Sequence, residues 1–282
     1  MPARRRRKQR GRKAATHVAA GDRYVEAFRL HDAIRSYEAA TTVDAGNAEL
    51  HLRLADTYFA AEMPAKAYRA YQQALKIHPR NAECHFSLAE FLMSLQKVRL
   101  AIHAFRRAID CDPERHYYHC RLGQAYLRLG NRDEAQACFN EALRLAPDDA
   151  YYHYRLADAH FRWQLWETAE EEYRRAIDCA PFDDFYHICL CTVYLRQDKR
   201  DEALNAIRRT VLIRPRNPSY CHLLAWLLDE TGYAADAREY YRRAGRLSAY
   251  DEDYVRRVRA KGGVEEGEGD WEQEEAQRRP LL

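Results

Sequence analysis

Five prolines, Pro79, Pro113, Pro147, Pro181 and Pro215, stand 34 residues apart. A fixed period of that length marks a repeat array whose units cannot bury their apolar faces alone and must stack. In blocks of 34 the chain gives seven units: 14–47, 48–81, 82–115, 116–149, 150–183, 184–217 and 218–251. Column 20 is alanine in every unit (Ala33, Ala67, Ala101, Ala135, Ala169, Ala203, Ala237), and column 8 is always small (Gly21, Ala55, Ala89, Gly123, Ala157, Cys191, Ala225). Column 7 is leucine from Leu54 to Leu224, and column 24 carries a ring (Tyr37, Tyr71, Phe105, Phe139, Tyr173, Tyr241) except at Ile207.

Columns 4, 7, 8 and 11 share one helical face and columns 20, 24 and 27 another, the spacing of an amphipathic helix pair. Each unit therefore reads as helix, turn, helix. In Leu-Gly-Asn-Arg-Asp-Glu-Ala (129–135), Gly130 ends one helix and Asn131 begins the next. The column-32 proline stops the second helix, having no amide hydrogen and a ring that clashes with the preceding turn. The first and last units carry Ala45 and Ala249 there instead.

These columns resemble the tetratricopeptide repeat family, as in Leu122, Gly123, Tyr126, Ala135, Phe139, Ala142 and Pro147. The resemblance implies an all-α, right-handed superhelical solenoid of seven helix-turn-helix repeats. A short capping helix over 252–263, with Tyr254, Val255 and Val258 inward, is expected to close it before Gly262 and Gly263.

The resemblance also implies that columns 2, 5, 9, 12 and 13 line a concave groove for an extended peptide or helix of another protein. In the central units these are Tyr117, Cys120, Gln124, Leu127 and Arg128; Tyr151, Tyr154, Asp158, Phe161 and Arg162; and Phe185, Ile188, Thr192, Leu195 and Arg196. Aromatic anchors with arginine are what binding hot spots favour. The earlier units offer acids, Glu49, Asp56, Glu83 and Glu90, with Phe59, Phe86 and Met93. Lysine at column 5 and asparagine at column 9, by which some family members clamp a C-terminal carboxylate, occur in no unit. The expected partner is a protein segment combining apolar or aromatic side chains with acidic ones, which casts the chain as an interaction scaffold or adaptor.

Composition narrows the alternatives. The array takes nearly the whole chain and leaves no room for a separate catalytic domain. Neither HExxH nor GxSxG nor a phosphate-binding glycine loop occurs, so no enzyme activity, cofactor or small-molecule substrate is expected. No stretch approaches the ~20 apolar residues of a membrane helix. The basic N-terminus lacks the apolar segment of a secretory signal, which suggests a cytoplasmic protein. The eight cysteines then read as buried small apolar residues.

Column 4 is histidine six times (His17, His51, His85, His119, His153, His187) and Cys221 in the last unit. Equivalent helices about 10 Å apart cannot share a zinc whose ligands sit at ~2.1 Å, so each imidazole is expected to be packed and hydrogen-bonded between helices.

The ends differ in charge. Residues 1–13 hold eight basic groups and no acid, and 264–282 hold seven acids against Arg278 and Arg279; both are expected to be disordered. The basic arm supports an alternative reading as a nucleic-acid- or ribosome-associated adaptor making weak, salt-sensitive polyanion contacts. The acidic tail, with Trp271 among its carboxylates, has the composition expected of a groove ligand.

Overall fold

The computed structural model describes the backbone of residues 2–260 and the side chains of residues 12–247. The described residues form an all-α helical repeat solenoid of helix pairs: α1 (Pro2–Glu26) with α2 (Leu30–Val43), α3 (Ala48–Ala60) with α4 (Pro64–Ile77), α5 (Ala82–Ser94) with α6 (Val98–Cys111), and α7 (His116–Leu129) with α8 (Arg132–Leu145). The later pairs are α9 (Ala150–Arg162) with α10 (Trp166–Cys179), α11 (Asp184–Arg196) with α12 (Arg200–Ile213), and α13 (Pro218–Glu230) with α14 (Ala234–Ala260). The pairs gather into two compact bodies, Met1–Pro147 and Asp148–Leu282. Among the described residues no helix is long and apolar enough to cross a membrane.

Each pair closes on the columns that repeat. All seven column-20 alanines are at most 1% exposed, which lets the two backbones approach, and Tyr71, Phe105, Phe139 and Ile207 of column 24 are fully buried against the first helix. The second helices α4, α6, α8, α10 and α12 each end two residues before their proline. Without a proline, α2 still stops at Val43, because Gly46 and the α3 cap Asn47 follow at once. After Ala249 nothing breaks the helix, so residues 252–260 are helical as the continuation of α14 rather than as a separate closing helix. Likewise α1 starts at Pro2 and takes the basic segment into its span, as lysine, arginine and glutamine are good helix formers. Residues 261–263 of the expected cap and the acidic tail lie outside the described residues.

Five first helices are capped by side chains: Asn47, Asn81, Asp149, Asp183 and Asn217 each accept a backbone N–H from the first turn. Asn131 takes the cap position of α8 without capping, and its amide donates to Glu134 instead (3.2 Å). The histidine column does bond to backbone. Nε2 of His51, His85, His119 and His187 lies 2.9–3.1 Å from the carbonyl six residues earlier, which ties each first helix to the chain leaving the preceding pair. Among the described residues no cluster of His, Cys, Asp or Glu is placed to hold a metal.

Column 15, the turn inside each pair, is left-handed in all seven units, yet only Gly130 and Gly232 are glycines; Phe28, Glu62, Gln96, Gln164 and Asp198 hold φ between 55° and 63°. An L-residue there strains against its own Cβ by roughly 1 kcal/mol, and these five side chains are exposed. Glu62→Gly, Gln96→Gly and Gln164→Gly are each expected to stabilise their body by about 0.5–1 kcal/mol, read as a raised urea midpoint. A lowered midpoint for all three would show that the turn strain is relieved elsewhere.

Candidate functional site

The expected site residues fall on the first helices, but their surroundings differ between the bodies. In the first body the Tyr117 ring packs edge-on to Phe86 at 5.1 Å and its hydroxyl donates to Glu83 (3.3 Å). The Gln124 carbonyl accepts from Arg121 (2.8 Å), Leu127 is half-buried, and Arg128 is exposed. Cys120 and Met93, expected in the groove, are buried at 1% and 6% exposure because their side chains turn into the helix pair. The acids of this body are engaged: Glu49 with Arg53 (3.1 Å), Asp56 with the Tyr71 hydroxyl (2.6 Å), Glu83 with Tyr118 (3.2 Å), and Glu90 with Arg121 through a two-pronged ion pair.

The second body brings its predicted residues closer together. Tyr154 is the hub, with ring centroids 6.1 Å from Tyr151, 5.1 Å from Phe185 and 6.3 Å from the buried Tyr173. Tyr151 and Phe185 remain 42% and 46% exposed, so they present aromatic surface rather than only filling the space between helices. Phe161 turns toward Trp166 (5.1 Å) and stands apart from that cluster. Asp158 pairs with Arg162 one turn along α9 (3.1 Å), and the Thr192 hydroxyl donates to the Ile188 carbonyl (3.0 Å), so neither keeps its main polar group for a ligand. Ile188 is half-buried on this face. Thr192, Leu195 and Arg196 line a cleft of about 170 Å³ with Trp226, Leu227 and the Arg200–Glu230 ion pair (3.0 Å).

Two neighbours of these residues, Arg155 and Arg200, escape a reading by groove columns, and a third, Trp226, lies beyond the central units. Trp226 was legible, since it stands in column 9 of the last unit. Arg155 sits in column 6, where Arg53 and Arg121 also occur. Those two reach back to column-9 carboxylates of the preceding unit, Asp22 (2.7 Å) and Glu90. Arg200 is the first residue of α12, a position outside every first-helix column.

Electrostatics separate the bodies again. Loss of hydration raises the Asp56 carboxyl to about 6, with help from the Glu83 and Glu49 charges and against the Tyr71 hydrogen bond. Burial lowers the His160 imidazole below its ordinary value, and its Nδ1 is buried without a hydrogen-bond partner. A carboxyl raised in the folded state stabilises the fold as pH falls through 6 toward 3.8, and an imidazole lowered in the folded state destabilises it as pH falls through 6.5. Acidification from pH 7 to 5 is therefore expected to strengthen α3–α4 and weaken α9–α10. Hydrogen exchange corrected for intrinsic rates reads both, and His160→Leu, the residue of Leu92 and Leu228 in this column, should remove the second response. The same sign in both bodies would refute the assignment.

A model of the tetratricopeptide repeat family matches residues 52–116 and 120–184, and a second model of that repeat matches 218–250. Among solved structures, the C-terminal part of a repeat protein from Cytophaga hutchinsonii is similar at 14% identity and a TM-score of 0.68, over 80% of this chain and 93% of that one. A tetratricopeptide repeat protein from Parabacteroides merdae is similar at 16% identity and TM-score 0.62, over 84% and 93%. PilF of Pseudomonas aeruginosa is similar at 20% identity and TM-score 0.61, over 77% and 99%. At these identities the likeness is one of fold. No curated protein matches the chain.

Proposed function

The chain belongs to the tetratricopeptide repeat family, whose repeats are generally protein–protein interaction modules, and from that premise we propose a scaffold or adaptor. Its second body takes an extended peptide or helix of a partner protein across the first helices α9, α11 and α13. The observation that carries this reading is the half-exposed aromatic row Tyr151–Tyr154–Phe185, continued by the Leu195–Trp226 cleft. Exposed aromatic surface backed by a packed ring desolvates a large area at little entropic cost, since its side chains are already held. Arg162 and Arg196 form the polar rim, and Arg128 extends the same column in the first body. The mechanism is docking on a preformed surface, with no cofactor and no bond-making step.

The test is capture from the source cell's lysate at low and high salt by wild type and by Tyr151→Ala/Phe185→Ala. Both side chains are exposed enough for the variant to keep its fold, checked by circular dichroism. A protein held at high salt by wild type and lost at least tenfold by the variant is the expected result, since truncating two hot-spot residues removes roughly 2–4 kcal/mol of binding. Equal retention by both would refute the aromatic row. Capture lost from both at high salt would transfer the function to the basic segment 4–13.

A further inference from the structure

One guanidinium on this face lacks its counterpart. Arg155 lies over two tyrosine rings, 5.9 Å from the centroid of Tyr151 and 5.7 Å from that of Tyr154. Its guanidinium hydrogen-bonds the Tyr154 side chain, but its Nε is buried without a hydrogen-bond partner and it makes no ion pair among the described residues. The other column-6 arginines, Arg53 and Arg121, meet a carboxylate in column 9 of the preceding unit. At the matching position before Arg155 the sequence has Gln124, an amide. Arg196, beside Trp226 in the cleft, also makes no ion pair among the described residues. A half-buried guanidinium held on an aromatic floor with no carboxylate beside it suits a carboxylate brought by a ligand.

We propose that the ligand is this chain's own acidic C-terminal segment, residues 264–275, with its carboxylates at Arg155 and Arg196 and Trp271 on the Tyr151–Phe185 row. The proposal rests on the docking face described above and specifies how that face is regulated. Charge complementarity is the first argument: seven acids and a tryptophan lie within those twelve residues, and Arg155 and Arg196 make no ion pair among the described residues. Position is the second. The described part of α14 reaches Ala260 in the same body as Arg155, and the acidic segment follows it directly in sequence. Trp271, eleven residues on, has a reach of up to ~37 Å, and helices packed side by side are spaced by about 10 Å. Tethering then supplies an effective concentration near the millimolar range, so weak contacts suffice and a partner of similar chemistry must compete.

Full-length protein labelled with 5-fluorotryptophan tests this by ¹⁹F NMR, because the chain has four tryptophans and Trp271→Phe assigns the relevant signal. The expected Trp271 signal is displaced from that of a free peptide of residues 264–282. It should return toward the free position in Arg155→Gln, in Arg196→Gln and at high salt. A second variant with Glu265, Glu266, Glu268, Glu272, Glu274 and Glu275 changed to Gln and Asp270 to Asn leaves the array untouched. It should also free Trp271, and should raise capture of the partner at least about tenfold. A Trp271 signal at the free position in wild type overturns the proposal. So does a displaced signal that ignores both arginine variants, or one that vanishes on dilution, which would mean the tail of a second copy. If Trp271 behaves as expected while Tyr151→Ala/Phe185→Ala leaves lysate capture unchanged, the partner-docking reading alone has failed; unchanged tail behaviour with lost capture has the opposite meaning.

Discussion

Phe139→Ala is expected to lower the stability of the first body by about 3–5 kcal/mol, whereas Gly123→Ala, against the same ring, should cost no more than about 1 kcal/mol. Phe139 is fully buried and its ring edge fills the space where Gly123 has no side chain; a Cβ added there would meet the ring at 2.9 Å. Removing the ring leaves a void between α7 and α8 that two helices with buried alanine contacts on both sides cannot collapse into. Adding one methyl asks only for a small shift. Ala55 with Tyr71, Ala89 with Phe105 and Ala157 with Tyr173 show sibling units holding an alanine against a ring in the same columns. In Phe139→Leu/Gly123→Ala the new methyl should recover part of the loss of Phe139→Leu alone. The four tryptophans all follow residue 148, so the first body is followed by circular dichroism in urea. A Phe139→Ala loss below about 1 kcal/mol would mean that this ring does not hold the pair together.

The helix pairs were legible in the sequence because each depends on one local rule repeated in register: alanine where backbones meet, a ring opposite a small residue, a proline two residues past a helix end. The face that the aromatic columns share was legible for the same reason, since helical spacing puts Tyr151, Tyr154 and Ile188 or Phe185 on corresponding turns. What the columns did not reveal is pairing. Glu83, Glu90 and Asp56 read as an acidic groove end, but each is taken by a partner from a neighbouring helix, and such a choice depends on side-chain reach rather than on period. The terminal helices overran their expected limits because Ala249 and the residues before Ala14 contain no breaker strong enough to stop a helix already formed. That Arg155 lacks a carboxylate became visible only by comparison with Arg53 and Arg121, once the geometry showed what column 6 reaches.

His153→Leu is expected to destabilise the second body by about 3 kcal/mol, and Glu172→Ala, at the other end of the same contact, by much less. Column 23 holds a small residue in most units (Ser36, Ala70, Ala104, Cys138, Ala206), so Glu172 is an intruder, 7% exposed between α9 and α10. His153 Nδ1 lies 2.7 Å from one carboxylate oxygen, and Arg175 donates to the other at 2.7 Å from its more exposed position. Removing the imidazole leaves half of a buried carboxylate facing apolar atoms, which is the costly direction. Removing the carboxylate recreates the combination of histidine in column 4 and alanine in column 23 that His51 with Ala70, His85 with Ala104 and His187 with Ala206 already use, while Arg175 keeps Glu171 (2.5 Å). The double variant His153→Leu/Glu172→Ala should therefore recover most of the loss, a coupling of about 2 kcal/mol in a double-mutant cycle. Trp163 and Trp166 sit at the turn between these helices and report the transition by fluorescence. Equal losses for the two single variants, with no recovery in the double, would show that Glu172 stabilises the body by some contact other than His153.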